Sequence, residues 1–134
     1  MDKSLYLEKN ISQQPAIDLL RSMGYTYISP EDCEAQRGSR YHVLLKDILR
    51  GQLRRLNRYA FAGAENEFSA ANIERAMEDL DEPLTDGLVR TSEKVYDALL
   101  LGKSYPETVG EGKTLSFNLK YIDWEHPENN LFHV

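Results

Sequence analysis

Basic side chains recur at every fourth position in one stretch of the sequence. Lys46, Arg50, Arg54 and Arg58 are spaced in this way, and residues four apart lie on nearly the same side of an α-helix. A line of four cations would suit the phosphate backbone of DNA. Contacts of that kind are electrostatic and do not read the base sequence. We interpret these four residues as candidate DNA-backbone contacts.

The same basic residues have a simpler explanation. An amphipathic helix needs polar residues on its solvent side, and Asp47 interrupts the basic series. The apolar side of this helix is predicted to consist of Leu45, Ile48, Leu49, Leu53 and Leu56. A solvated helix face is therefore the alternative to a DNA-contact surface.

Carboxylates and histidines are concentrated near the end of the sequence. Oxygen ligands of this kind suit Mg²⁺, so a metal site is one interpretation of Asp123, Glu125, His126, Glu128 and His133. Proline and two asparagines lie among them, and acids beside these residues are typical of turns. We therefore predict a turn over 123–130 and assign no metal ligand.

Length and charge limit the classes of protein to which the chain can belong. Its 134 residues fit one domain, and a hydrophobic fraction of 41% is enough for an ordinary core. Residues 1–62 carry ten basic against seven acidic side chains, whereas residues 63–134 carry six against fifteen. The acidic total disfavours a protein that coats DNA, although a local basic surface can still meet phosphates.

Several motifs are absent from the sequence. It has no apolar run near the roughly 20 residues needed to cross a bilayer, so we expect a cytoplasmic protein. It also has no Gly-rich phosphate loop, no Gly-x-Ser-x-Gly, no His-Glu-x-x-His and no cysteine pair. Nucleotide hydrolysis by this chain alone is not expected.

Hydrophobic periodicity and capping residues predict a mixed α/β or α+β fold. Ser12, Ser29 and Ser69 are predicted to cap three helices. Further helices are predicted over 41–59 and 85–101, strands over 25–29 and 114–122, and loops over 57–67 and 103–112. The last helix is predicted to bury an apolar stripe made of Leu88, Val89, Val95, Tyr96, Leu99 and Leu100. Residues 131–134 are predicted to begin a further strand.

Four segments in order resemble the opening of the R subunit of type I restriction enzymes. They are AIDLLRSMGYTYIS, LLKDILRGQLRRLNRYAF, DGLVRTSEKVYDALLLGKSY and FNLKYIDWEHPENNLFHV. The last of them is the most specific. In that family a similar segment continues into a nuclease core of the PD-(D/E)xK type.

The resemblance implies that the active site lies beyond this sequence. A catalytic Asp following an Arg-Pro pair and a Glu-x-Lys on the next strand would come after Val134. Residues 1–134 are then a single partial domain, whose mostly helical part leads into the first strands of a restriction-endonuclease-like sheet. No catalytic residue is assigned within it. Gln13 occupies the position where related subunits often carry a Glu near the metal, and Glu8 is the alternative if the alignment is shifted by a few residues.

The resemblance also implies cofactors and partners. Mg²⁺ would serve the nuclease site, ATP would serve downstream motor domains, and the subunit would act on DNA with methylation and specificity subunits. A fragment ending at 131–134 would expose a strand edge, so a homodimer of the fragment is a further expectation. The alternative is a non-catalytic α+β interaction module, such as an acidic DNA mimic or a subunit adaptor, as suggested by the acidity of residues 63–134.

Overall fold

The computed structural model describes residues 9–38, 43–81, 83, 85 and 87–134. Its five α-helices are α1 (Gln14–Ser22), α2 (Pro30–Arg37), α3 (Lys46–Leu56), α4 (Ala70–Leu80) and α5 (Leu88–Leu101). Two antiparallel hairpins consist of β1 (Arg58–Phe61) with β2 (Ala64–Glu67), and β3 (Lys103–Val109) with β4 (Lys113–Leu119). The predicted mixture of helices and strands is confirmed.

Two of the three predicted helix caps are confirmed. Ser29 accepts a hydrogen bond from the backbone N–H of Asp32 at the start of α2, and Ser69 does the same for Asn72 at the start of α4. Ser12 is not a cap, because a π-helical turn over Lys9–Gln13 precedes α1. The residue at the N-terminal boundary of α1 is Gln13.

The predicted strand over 25–29 forms only an isolated bridge. Thr26 pairs in parallel with His133. The Thr26 N–H donates to the carbonyl oxygen of Phe132 at 2.8 Å, and the Val134 N–H donates back to Thr26 at 2.9 Å. One edge of 131–134 therefore pairs with the segment around Thr26, and the predicted exposure of its other edge stays a prediction.

The predicted helix over 41–59 is too long. Tyr41 and His42 lie outside the described residues, and α3 ends at Leu56 because Asn57 is extended. The predicted loop over 57–67 is instead the β1–β2 hairpin, whose turn residues Ala62 and Gly63 both have positive φ. Two positive φ angles are what a tight two-residue hairpin turn requires.

The predicted loop over 103–112 is also wrong for most of its length. Residues 103–109 form β3, which pairs antiparallel with β4 from Lys103 opposite Leu119 to Val109 opposite Lys113. Alternate side chains of β3, at Tyr105, Glu107 and Val109, are buried. Pro106 and the glycines that follow obscured this alternation in the sequence.

The core lies where α3, α4 and α5 meet the β3–β4 hairpin. Its buried residues are Leu53, Phe68, Ile73, Ala76, Met77, Ala98, Tyr105, Leu119 and Tyr121. The apolar stripe predicted for α5 is wrong at Leu88, Val89, Tyr96 and Leu100, which are exposed. Its other two members, Val95 and Leu99, are half-buried, and Leu99 packs against the core. The fully buried positions of α5 are the smaller Thr91 and Ala98, so small side chains face the core. No helix in the described part of the chain combines the length and apolar character needed to span a bilayer.

Candidate functional site

The basic side of α3 is partly neutralised by neighbouring acids. The Arg50 guanidinium lies 2.5 Å from a carboxylate oxygen of Glu74 on α4 and 3.1 Å from one of Asp47. The hydrogen bond to Glu74 raises the pKa of Arg50, and the same bond lowers the pKa of Glu74. Arg50 is therefore engaged in joining two helices.

The remaining predicted DNA contacts differ in their surroundings. Arg58 lies on β1 rather than on the helix, and its guanidinium is 3.2 Å from the carboxylate of Glu67. Arg54 is exposed and Lys46 is half-buried. Within the described ranges neither of these two has an ion-pair partner at salt-bridge distance. Counting only partners among the described residues, two of the four cations are paired with an acid and two are not.

A neighbouring arginine links α3 to the 123–130 segment. Arg55 donates from its guanidinium to the carbonyl oxygen of Asn129, which also accepts from the Gln52 amide at 3.3 Å. A second nitrogen of Arg55 donates to Gln52 at 2.8 Å. This role of Arg55 could not be predicted from the sequence, because the contact joins residues 74 positions apart.

A buried asparagine fixes the end of α3 against the end of β4. The Asn57 amide nitrogen donates to the carbonyl oxygens of Leu53 at 3.0 Å and Lys120 at 2.7 Å. Its amide oxygen accepts from the Lys120 N–H at 2.8 Å. The side chain thus takes the place of a strand partner for Lys120. The sequence did not indicate this role, because Asn57 lay where the predicted helix over 41–59 overlapped the predicted loop over 57–67.

The predicted turn over 123–130 is organised around the carboxylate of Asp123. One oxygen accepts from the backbone N–H of His126 at 3.1 Å and the other from the Asn129 amide at 3.0 Å. The Lys120 ammonium lies 3.4 Å away. The Asn129 bond, followed by the His126 bond and the Lys120 charge, lowers the pKa of Asp123 from 3.8 to about 2. Asp123 is therefore a structural carboxylate that holds the turn.

The acidic and histidine side chains of the described residues do not converge on a cluster of metal ligands. No three His, Cys, Asp or Glu side chains among them come together in a way that could hold a metal ion. Both oxygens of Asp123 already accept hydrogen bonds, and Gln13 is an exposed amide. No catalytic step through a metal is derived from these residues.

A buried network of hydroxyl groups supports the same part of the fold. The Tyr105 hydroxyl donates to the Asp79 carboxylate at 2.6 Å, and the Tyr121 hydroxyl donates to the carbonyl oxygen of Ala76 at 2.6 Å. Burial is the main cause that raises the pKa of both phenols. They stay neutral and donate, which ties β3 and the segment after β4 to α4.

Acid titration tests the role of Asp123. Because folding lowers its pKa from 3.8 to about 2, the carboxylate stabilises the fold above pH ~4, and this contribution is lost as the pH falls toward 2. We expect Asp123→Asn to be less stable than the parent protein at pH 7. The difference in unfolding free energy should shrink between pH ~4 and ~2, as measured by denaturant titration at each pH.

Glu125→Gln is the matched control, because it removes an exposed carboxylate from the same turn. This variant should stay close to the parent protein throughout the pH range. A difference between Asp123→Asn and the parent that does not change with pH would contradict the assigned role.

Comparison with known families identifies a match along nearly the whole chain. Residues 5–134 match the family described as Type I restriction enzyme R protein N terminus (HSDR_N). Comparison with curated proteins and comparison with solved structures each give no significant match.

Proposed function

Because the chain belongs to the family of type I restriction enzyme R protein N termini, we propose that it forms the scaffold of the nuclease domain of that subunit. The family implies a multi-subunit enzyme that acts on DNA and a deoxyribonuclease activity in the full-length protein. In this proposal the methylation and specificity subunits are the partners, and the enzyme works in the cytoplasm.

The proposal depends on one observation: distant parts of the chain hold residues 120–134 in place. Asn57 holds Lys120, Arg55 holds Asn129, and Thr26 pairs with the backbone of 132–134. In the family that this sequence resembles, the catalytic strands follow that segment. Scaffolding is the function that these contacts support, because strands added after 131–134 would start from a fixed position and direction.

The nuclease chemistry itself is assigned to residues outside this chain. A metal held by an Asp and a Glu of the expected later strands would polarise the phosphate and activate a water molecule. ATP would be used by motor domains of the same subunit. The residues of this chain contribute by positioning, since the described residues offer no metal-ligating cluster.

The cleavage experiment uses the chain and the full-length R subunit with its partner subunits. With Mg²⁺, ATP and plasmid DNA carrying the recognition site, the complex should cleave, whereas the chain alone should leave the DNA intact. Gel electrophoresis of the plasmid measures both outcomes. Metal-dependent nicking by the chain alone would contradict the proposal. A complex that assembles on DNA without cleaving it would favour a non-catalytic interaction module.

We also propose that the basic side of α3 contacts the DNA backbone in the full-length subunit. Lys46 and Arg54 are the better placed of the four candidates, because Arg50 and Arg58 already pair with acids. Replacing both Lys46 and Arg54 with glutamine should weaken binding to all DNA sequences alike. It should also flatten the plot of log affinity against log salt by roughly two units, about 0.9 per lost phosphate contact.

Arg75→Gln is the control for DNA binding, because Arg75 lies on α4 over the ring of Tyr105. It should leave the salt dependence unchanged. Fluorescence anisotropy of labelled duplexes at several salt concentrations measures these slopes. If the Lys46 and Arg54 double variant keeps the salt dependence of the parent protein, α3 does not contact the DNA.

A further inference from the structure

A polar cleft lies between the end of α3, the end of β4 and the turn over 123–130. It has a volume of about 380 Å³. One water molecule takes up about 30 Å³ of the liquid, so the cleft has room for a small anion together with some of its hydration water. Its lining residues come from distant parts of the chain and are Arg55, Leu56, Lys120, Asp123, His126 and Asn129.

Three of the lining side chains can donate hydrogen bonds to an anion. The Arg55 guanidinium has five N–H donors, and two of its three nitrogens are already bonded within the fold. The Lys120 ammonium has three donors, and its partner is one carboxylate oxygen of Asp123 at 3.4 Å. The His126 ring is 63% exposed, and its Nδ1 is 4.0 Å from Asp123, too far for a hydrogen bond. Counting contacts within the described ranges, each of the three side chains keeps a donor for a ligand.

Hydrogen bonds within the fold hold these three residues in place. The Asn57 amide bonds to both backbone groups of Lys120. The Arg55 guanidinium bonds to the backbone of the turn, and the turn is closed by the hydrogen bond from the His126 N–H to Asp123. Groups that are fixed before binding lose less conformational freedom when a ligand binds. The fold itself therefore brings the three donors together.

The charges of the cleft favour an anion, although the whole chain is acidic. The net charge of the chain is −6, whereas the lining carries two cations, Arg55 and Lys120, and one carboxylate, Asp123. The Asp123 side chain is only 4% exposed and both of its oxygens accept hydrogen bonds, so it presents little negative surface to a ligand. Glu125 and Glu128 belong to the same turn but do not line the cleft, and both are exposed to water, where dissolved ions screen their charge.

We propose that this cleft binds a phosphate group through Arg55, Lys120 and His126. The planar guanidinium matches the spacing of phosphate oxygens, and the lysine adds a point charge. The inference goes beyond the proposed DNA contact of α3. Arg55 lies about 100° around the helix from Arg54, and the other two donors lie outside α3. A DNA backbone and a small phosphate compound share this chemistry, and titration distinguishes the two.

Titration of the isotope-labelled chain with inorganic phosphate tests the site by NMR spectroscopy. Chloride is replaced by phosphate at constant pH and ionic strength, so that general screening does not change during the titration. The backbone N–H signals of Lys120 and His126 should shift along a saturable curve, whereas that of Thr91 on α5 should not shift. Absence of a saturable shift at Lys120 and His126 with any phosphate compound would overturn the proposal.

Substitutions of the donors separate binding from folding. Lys120→Gln and His126→Gln should each weaken phosphate binding by roughly threefold to fivefold, the effect of losing one partly exposed contact. Lys113→Gln is the matched control, since it removes an exposed lysine at the start of β4 and should leave the affinity unchanged. Because His126 is exposed, its variant should keep the parental melting temperature. Parental affinity in both donor variants, or an equal loss in Lys113→Gln, would overturn the proposal.

A short DNA duplex and a nucleoside monophosphate distinguish the two sources of the phosphate group. If the duplex shifts the same signals and inorganic phosphate competes with it, the cleft holds the DNA backbone. If only the monophosphate does so, the ligand is a small phosphate compound. The Lys46 and Arg54 double variant keeps the cleft intact, so a loss of DNA binding with unchanged phosphate binding concerns only the proposed contact of α3.

Discussion

Gly102→Ala is expected to lower the free energy of unfolding by roughly 2–6 kcal/mol, the combined range for a strained backbone and an overpacked contact. Gly102 ends α5 with φ 75° and ψ −174°, a conformation that is essentially restricted to glycine. A Cβ atom there would lie 2.3 Å from the carbonyl oxygen of Leu119. Because that oxygen belongs to the backbone, only a shift of β4 or of the helix end relieves the contact.

Gly38→Ala separates strain from contact. Gly38 ends α2 with φ 76° and ψ −15°, and a Cβ atom there would meet nothing within 4 Å. This control should cost only about 1–2 kcal/mol, the usual penalty of the left-handed conformation. Denaturant unfolding of both variants measures the two effects. Equal losses of unfolding free energy would mean that the contact between an added Cβ at position 102 and Leu119 costs nothing beyond the strain of the backbone.

Asn57→Asp is expected to be the most destabilising polar substitution. It should lower the free energy of unfolding by about 3 kcal/mol or more, because a buried acceptor would face other acceptors. The amide nitrogen of Asn57 faces the carbonyl oxygens of Leu53 and Lys120. A carboxylate would place a negative oxygen against both acceptors, while keeping the hydrogen bond from the Lys120 N–H. The variant should regain part of its stability at low pH, where a protonated carboxyl group can donate once.

Asn57→Ala provides the comparison. It removes all three hydrogen bonds without adding a charge, so it should be destabilised less than Asn57→Asp at pH 7 and should show no comparable gain on acidification. Thermal melting at pH 7 and pH 5 measures this difference. A reversed order of stability at pH 7 would mean that the site is open to water and that Asn57 does not join α3 to β4.

The family and the local elements could be derived from the sequence alone. The four quoted segments pointed to the R subunit of type I restriction enzymes, and the match over residues 5–134 confirms that assignment. Ser29 and Ser69 act as caps because a cap depends on residues within one turn of it. The turn around Asp123 is likewise local, since its hydrogen-bond partners lie within seven residues.

Only the tertiary structure decided which side of α5 is buried and that 103–109 is a strand. Both outcomes depend on partners distant in the chain: the small residues Thr91 and Ala98 face the core, and β3 is stabilised by its ladder with β4. The pairing of Arg50 with Glu74 and that of Arg55 with Asn129 also could not be derived from the sequence. A helical repeat shows that cations share a side, but the charges that oppose them come from other elements, and these are placed only when the chain is folded.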